Sequence, residues 1–316
     1  MKSLEEQREE VLSGGKKFKR TVQYEKHRVL INSAILVAIL VAVLGVGLWA
    51  SLYRWNVSSD VVYNVTRVLP LRVASVDGEP VRFSDFLMQY RSSIRVIERQ
   101  EGPIGNDEEG REIRNHFRRA SLDNAQMNAF ARGLARNLEI EVTREQEDAL
   151  LLEHRLGGSV SEESFMRMVR DNYGLSMSEY RRLFVYFPLL RRAVAVEIDT
   201  SAREVVAMLN ERIHRDGSNF ETVAEEHPEL LTESSGGLID VWTADGGRAA
   251  VANSLEVGHA SEAFLANDGS GWFIVKLLDR QGSQVSYLSI FVPLLELDRR
   301  FNEIRENGGI REYIDF

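Results

Sequence analysis

The chain has 316 residues, a formal net charge of −9 and no cysteine. Without cysteine there is no disulfide, thiolate zinc site or thiol nucleophile. The acidic balance disfavours nucleic acid as a partner, because that binding rests on Lys and Arg neutralising phosphates. Residues 1–29 hold eight Lys or Arg against five Glu, a balance of +3 that leaves −12 for the rest. There, Glu5, Glu6, Glu9 and Glu10 precede a Gly14-Gly15 break and a basic run from Lys16 to Arg28, a pattern that predicts a short frayed helix and a flexible basic tail.

Leu30 to Leu52 contains no Asp, Glu, Lys, Arg or His. Its length corresponds to roughly 34 Å of helix, against a bilayer core of about 30 Å. Trp49, Tyr53 and Trp55 stand at its far end, where interfacial aromatics belong. The stretch is too long for a signal-peptide core and predicts a retained single-pass anchor in the cell membrane. The basic flank places residues 1–29 in the cytoplasm and the remainder outside. Residues 53–70 read as a linker; the glycosylation patterns at Asn56 and Asn64 need only an exposed segment there.

The outer part, about 260 residues, is long enough for two modest domains. Val73 to Val76 alternates into an Asp77-Gly78 turn, Pro80-Val81 resumes, and Ser84 is the expected N-cap of a helix carrying Phe86, Leu87, Tyr90, Ile94 and Ile97. Met127, Phe130, Ala131, Leu134, Ala135 and Leu138 form one apolar helical stripe. Thr143 with Gln146 opens the next helix as a capping box, and a Gly157-Gly158 break follows. A short helix with Phe165 and Val169 closes near Gly174, and Ser176 with Glu179 opens another carrying Tyr180, Leu183, Phe184, Phe187 and Leu190. Aromatics and Met at this spacing belong to a core, or alternatively line an apolar groove.

The stretches VASVDGEPVRFSDFLMQY (residues 73–90), DNAQMNAFARGL (123–134), LEIEVTREQED (138–148) and YGLSMSEYRR (173–182) resemble, in order and spacing, the chaperone module of the SurA/PrsA/PpiD group of extracytoplasmic folding factors. In the second half, Asn219-Phe220 through Glu226, GGLIDVW (236–242), LEVGHAS (255–261) and GWFIVKL (271–277) resemble a parvulin-type, PpiC-like peptidyl-prolyl isomerase domain. The resemblance implies a membrane helix followed by an α+β ectodomain. Its parts are a mainly helical module over residues 71–191, completed by a returning chain end at 295–316, and an antiparallel sheet with helices over 192–294.

It also implies a site of two facing histidines, a Cys or Asp near the substrate carbonyl, and Met and Phe around the proline ring. This sequence departs from that pattern: Phe273 stands in place of one histidine, Ser289 in place of the other, and Glu229 near the acidic position, with Trp242 closing the GGLIDVW stretch. Those four residues outline a degenerate pocket, and none is assigned a catalytic role. The six histidines, His27, His116, His154, His214, His227 and His259, match neither family position nor any metal-ligand spacing. No cofactor is expected.

Three functions remain open from sequence. The first is a membrane-tethered chaperone or foldase-like protein that binds unfolded or exported polypeptides. The second is an active prolyl isomerase with a rearranged pocket, and the third a single-pass scaffold for one partner in an envelope complex.

Overall fold

The computed structural model of the chain describes residues 3–54, 57–155, 159–214, 220–227 and 230–316. The Gly157-Gly158 break, Trp55, Asn56, Asn219 and Glu229 lie outside the described residues. The chain is mostly helical with antiparallel sheets, and it divides into two compact units, Met1–Val62 and Tyr63–Ile314 with Phe316.

The first unit is dominated by α1, Leu4–Tyr53, opened by a capping box between Ser3 and Glu6. The expected break at Gly14-Gly15 does not occur. Each glycine weakens a helix interior by about 1 kcal/mol relative to Ala, but good helix formers flank the pair, and extending a helix is easier than nucleating a second one. Within α1, Arg28–Tyr53 has a mean hydropathy of 2.8 over its most apolar window and is long and apolar enough to cross a membrane.

A second correction concerns the linker. Asp60–Val68 forms a helix, α2. Tyr63, on the part of α2 that belongs to the second unit, donates its hydroxyl proton to Glu179 Oε1 at 2.5 Å and lies 4.5 Å beneath the Arg91 guanidinium. These partners, distant in sequence, hold a helix that its own β-branched residues do not announce.

Strands β1 (Arg72–Val76) and β2 (Glu79–Arg82) meet at Asp77 and Gly78, with φ of 48° and 79°. Positive φ at both central residues is what a tight type I′ hairpin demands, and Gly78 meets it without a Cβ penalty. Helix α3 (Phe83–Glu101) follows at once. Its N-cap is Arg82 without a side-chain hydrogen bond, so the expected Ser84 cap is displaced by two residues because the helix starts directly from the strand end. Asp107 caps the long α4, Glu108–Asn137. Phe130, Ala131 and Ala135 of the anticipated stripe are buried, while Leu138, past the last turn, is 42% exposed.

Helices α5 (Arg144–His154), α6 (Glu162–Tyr173) and α7 (Met177–Tyr180) follow. Both expected capping boxes form, and Gly174 ends α6 in the left-handed region at φ 65°. From α7 the chain passes through a π-helical stretch, Arg181–Tyr186, directly into α8, Phe187–Ile198, so these residues make one rod. Pro188 explains the wide turn. It has no N–H to give and its ring crowds the carbonyl four residues earlier, a clash that an extra residue per turn relieves. The rod also runs past residue 191, where the sequence suggested a boundary between helical and sheet regions.

After α9 (Thr200–His214) and α10 (Phe220–Glu226) come β3 (Leu231–Ser234), β4 (Ile239–Asp240), α11 (Arg248–Asn253), β5 (Phe264–Leu265), β6 (Gly271–Gln281) and β7 (Gln284–Pro293). The strands lie in the order β3-β7-β6-β5, with β4 also on β7, all antiparallel. One sheet face packs Ala249, Ala252, Phe273, Val275, Leu277, Val285 and Tyr287 into a core.

The chain end then returns to the helices. In α12 (Glu296–Glu306) Phe301 meets Phe130 at 5.7 Å; β8 (Ile310–Glu312) pairs with β1; and Phe316 stacks on Phe86 at 5.8 Å.

Candidate functional site

The positions singled out from sequence come together only in part. Phe273 on β6 faces Phe291 on β7, their rings 4.7 Å apart, and the Arg248 guanidinium lies 4.8 Å over the Phe273 ring. Arg248 donates to Glu233 Oε2 at 2.6 Å. Ser289 is fully buried, and its hydroxyl donates to the Glu233 carbonyl at 3.3 Å. Beside them Tyr287 donates to Asp245 Oδ2 at 2.7 Å; that carboxylate also accepts the Gly247 and Ala249 N–H groups at the start of α11. Burial, then the bond to Asp245, drives the Tyr287 hydroxyl pKa well above its ordinary value.

A phenyl ring cannot exchange a proton, and the Ser289 hydroxyl is committed to a carbonyl. The strand positions compared with a histidine pair thus form a packed wall of rings and one stacked cation. Trp242 is 87% exposed on the turn after β4 and is not part of this wall. Glu229 lies outside the described residues.

The histidines are dispersed. His154 Nδ1 is 3.2 Å from the Tyr180 hydroxyl, and burial lowers its pKa. His214 Nε2 lies 3.0 Å from the Ser261 carbonyl, His227 Nε2 lies 3.3 Å from Arg212 Nη1, and His259 sits against Glu256 at 3.8 Å. Among the described residues, no group of three or more His, Asp or Glu is arranged to hold a metal ion.

A different site emerges in the helical part. Helices α3, α4 and α6 and the π–α8 rod enclose a cavity of about 410 Å³, within the usual range of ligand pockets, about 300–1,000 Å³. Val96, Ile97, Phe117, Leu183 and Phe184 give it apolar walls. The wide turn around Arg181–Tyr186 sets Leu183 and Phe184 there, with Phe187, Pro188 and Arg191 continuing the same wall. Residues that read as core or groove thus divide: Tyr180, Phe187 and Leu190 are buried, while Leu183 and Phe184 remain half-buried.

One end of the cavity is polar. Arg191 Nε donates to Asn128 Oδ1 at 2.7 Å, and Nη2 donates to the Asn124 carbonyl at 2.9 Å. Burial pulls the Arg191 pKa down to about 10, with Asp298 opposing the shift; the group remains a cation at neutral pH. Asp298 lines a second hollow, of about 490 Å³, on the α12 side of Arg191. Sequence reasoning missed this polar end. The available signal was Asn124 and Asn128, one helical turn apart, and it does not reveal that Arg191 closes on them. Compared with models of protein families and with curated proteins, the chain matches none.

Proposed function

We propose that this protein is a membrane-tethered folding factor that binds unfolded or exported polypeptides in the apolar cavity of its helical module. The single observation that carries the reading is that cavity, half-open to solvent and walled by aromatic and aliphatic side chains on a packed helical frame. Burying a client's apolar side chains there removes about 25 cal/mol per Å² of surface from water. The resemblance of residues 73–182 to the SurA/PrsA/PpiD chaperone module supports the same assignment. In this reading Arg28–Tyr53 spans the cell membrane with the basic N-terminal flank in the cytoplasm, and the tether raises the effective concentration of the cavity for chains emerging from that membrane. The second module keeps a parvulin-like order of elements as a binding or bracing unit, with Phe273 and Ser289 where acid–base chemistry would otherwise sit.

The test is aggregation of a chemically unfolded exported protein, followed by light scattering, with the full-length protein in lipid nanodiscs at several-fold molar excess. Suppression by the wild type and its weakening in Ile97→Asp are expected. Unchanged aggregation with folded wild-type protein overturns the proposal.

A further inference from the structure

Arg191 is the cation of the rod that lines the cavity, and among the described residues it makes no ion pair. Arg181 is paired with Asp148 at 2.7 Å, and Arg182 holds Asp85 through two bonds of 2.8 and 3.0 Å. Arg191 has no carboxylate within ion-pair distance among the described residues; its Nε and Nη2 are spent on Asn128 and Asn124, and Nη1 has no partner there. Asp298 acts on this partly buried charge from beyond ion-pair distance and compensates its desolvation incompletely, so an anion reaching it relieves the remaining penalty.

The neighbouring groups are also donors in search of an acceptor. Asn128 is 3% exposed; its Oδ1 accepts from Arg191 Nε, which fixes the amide orientation and leaves Nδ2 without a partner among the described residues. Ser92, also 3% exposed, offers a hydroxyl in the same state. Among the described residues, Trp272 Nε1 is the one sealed side-chain atom without a partner, so the free donors of Asn128 and Ser92 open onto the cavity they line. A cation and an amide donor at one end of an apolar chamber match a carboxylate at the end of an apolar segment. Gln89, Ser92 and Ser93, on the α3 wall of the same cavity, supply polar groups suited to a peptide main chain and of no use to a hydrocarbon tail.

We infer that the cavity captures the free C-terminus of a polypeptide, with the α-carboxylate on Arg191 and Asn128 and the last apolar side chains against Val96, Leu183 and Phe184. This inference rests on the polypeptide-binding reading and narrows it to chain ends. It makes the protein a reader of completed or cleaved exported chains, with internal apolar segments held less tightly.

The experiment compares two N-terminally fluorescein-labelled decapeptides of one sequence ending in Val-Leu-Phe, one a free acid and the other a C-terminal amide. Binding to full-length protein in nanodiscs is read by fluorescence anisotropy. The free acid should bind about tenfold more tightly or better, the effect of one or more hydrogen bonds to a charged group. Arg191→Gln should erase that preference, and Asn128→Leu should reduce it. Equal binding of acid and amide by the wild type, which needs no variant to fold, overturns the inference and leaves the polypeptide-binding reading standing. Failure of both peptides to bind overturns both. Displacement of the acid peptide by dodecanoate at equal concentration, with no preference between acid and amide, assigns the cavity to lipid and also overturns the inference.

Discussion

Asp199 holds the returning chain end to the body of the protein, and its replacement tests that linkage. The residue is 3% exposed, between α8 and α9. Oδ1 accepts from the Ser201 hydroxyl at 2.8 Å and the Ala202 N–H at 3.0 Å; Oδ2 accepts from the Leu295 and Glu296 N–H groups at 2.8 and 3.1 Å. One carboxylate therefore caps the starts of α9 and α12, whose sequence positions differ by almost a hundred residues. An Asn presents one oxygen and turns an NH₂ toward two N–H donors, so Asp199→Asn keeps one cap and breaks the other. Losing a cap is worth about 1 kcal/mol, and more where the bonds are charge-assisted, so we expect roughly 2 kcal/mol for Asn and about 3–4 kcal/mol for Ala. In a unit of this size 2 kcal/mol corresponds to a fall of about 4–8 °C in Tm. Thermal unfolding of the full-length protein in detergent micelles, followed by circular dichroism, reads the shift. An Asn variant within about 1 °C of wild type, with Ala clearly destabilised, refutes the two-oxygen argument.

The same site has a pH signature. Burial pushes the Asp199 carboxyl up, but the hydrogen bonds from Ala202, Ser201, Glu296 and Leu295 outweigh it, and its pKa lies below the usual carboxylate value. A depressed folded-state pKa contributes stability that is complete above the unfolded value, about 3.9, and is lost as pH falls through the folded one. The Tm gap between wild type and Asp199→Asn should therefore narrow below about pH 4. Glu296, held down to about 2 by Arg299 and Arg300, titrates in the same acidic window but is present in both proteins and cancels in the comparison.

Three further outcomes are expected. A Cβ at Gly271 would lie 2.3 Å from the Val292 carbonyl oxygen and 2.8 Å from Pro293 Cα. Both are backbone atoms of the paired strand, so Gly271→Ala should destabilise by about 1–3 kcal/mol or more. Gly133→Ala in α4, where the nearest atom is 3.5 Å away, should instead stabilise by up to about 1 kcal/mol; chemical denaturation of the pair reads the opposite signs. Ending the chain at Gly309 removes the β8 partner of β1, the buried Ile314 and the Phe316 ring. Amide exchange in residues 72–82 should then accelerate, and unchanged protection there contradicts the role of the returning strand. Finally, full-length protein should leave X-Pro isomerisation at its spontaneous rate of tens to hundreds of seconds. Acceleration abolished by Phe273→Ala would overturn the reading of the β6–β7 wall as inert.

Several elements were legible because their causes lie within a few residues. The Thr143/Gln146 and Ser176/Glu179 boxes, the left-handed Gly174 and the Asp77-Gly78 turn form as their local chemistry requires. The uncharged run from Leu30 to Leu52 falls inside an apolar helix of the right length. Local rules were silent or misleading wherever a distant partner decided the outcome. Asp60–Val68 is helical with Tyr63 held by Glu179, 116 residues away, and the Ser84 cap gave way to a helix starting at Phe83. Trp242, drawn into the pocket by its place in a motif, is solvent-exposed because the turn after β4 carries it outward.

What this sequence determines by itself is the set of local elements, the apolar span and the absence of histidine at Phe273 and Ser289, since periodicity, capping and residue identity need no tertiary partner. The tertiary structure alone decided that Arg191 closes on Asn124 and Asn128 across more than sixty residues and that β8 completes the sheet begun by β1. The physical reason is that burial and strand pairing are properties of surfaces assembled from distant segments. The same guanidinium at residue 191 is a solvated side chain or a withdrawn cation according to what folds around it.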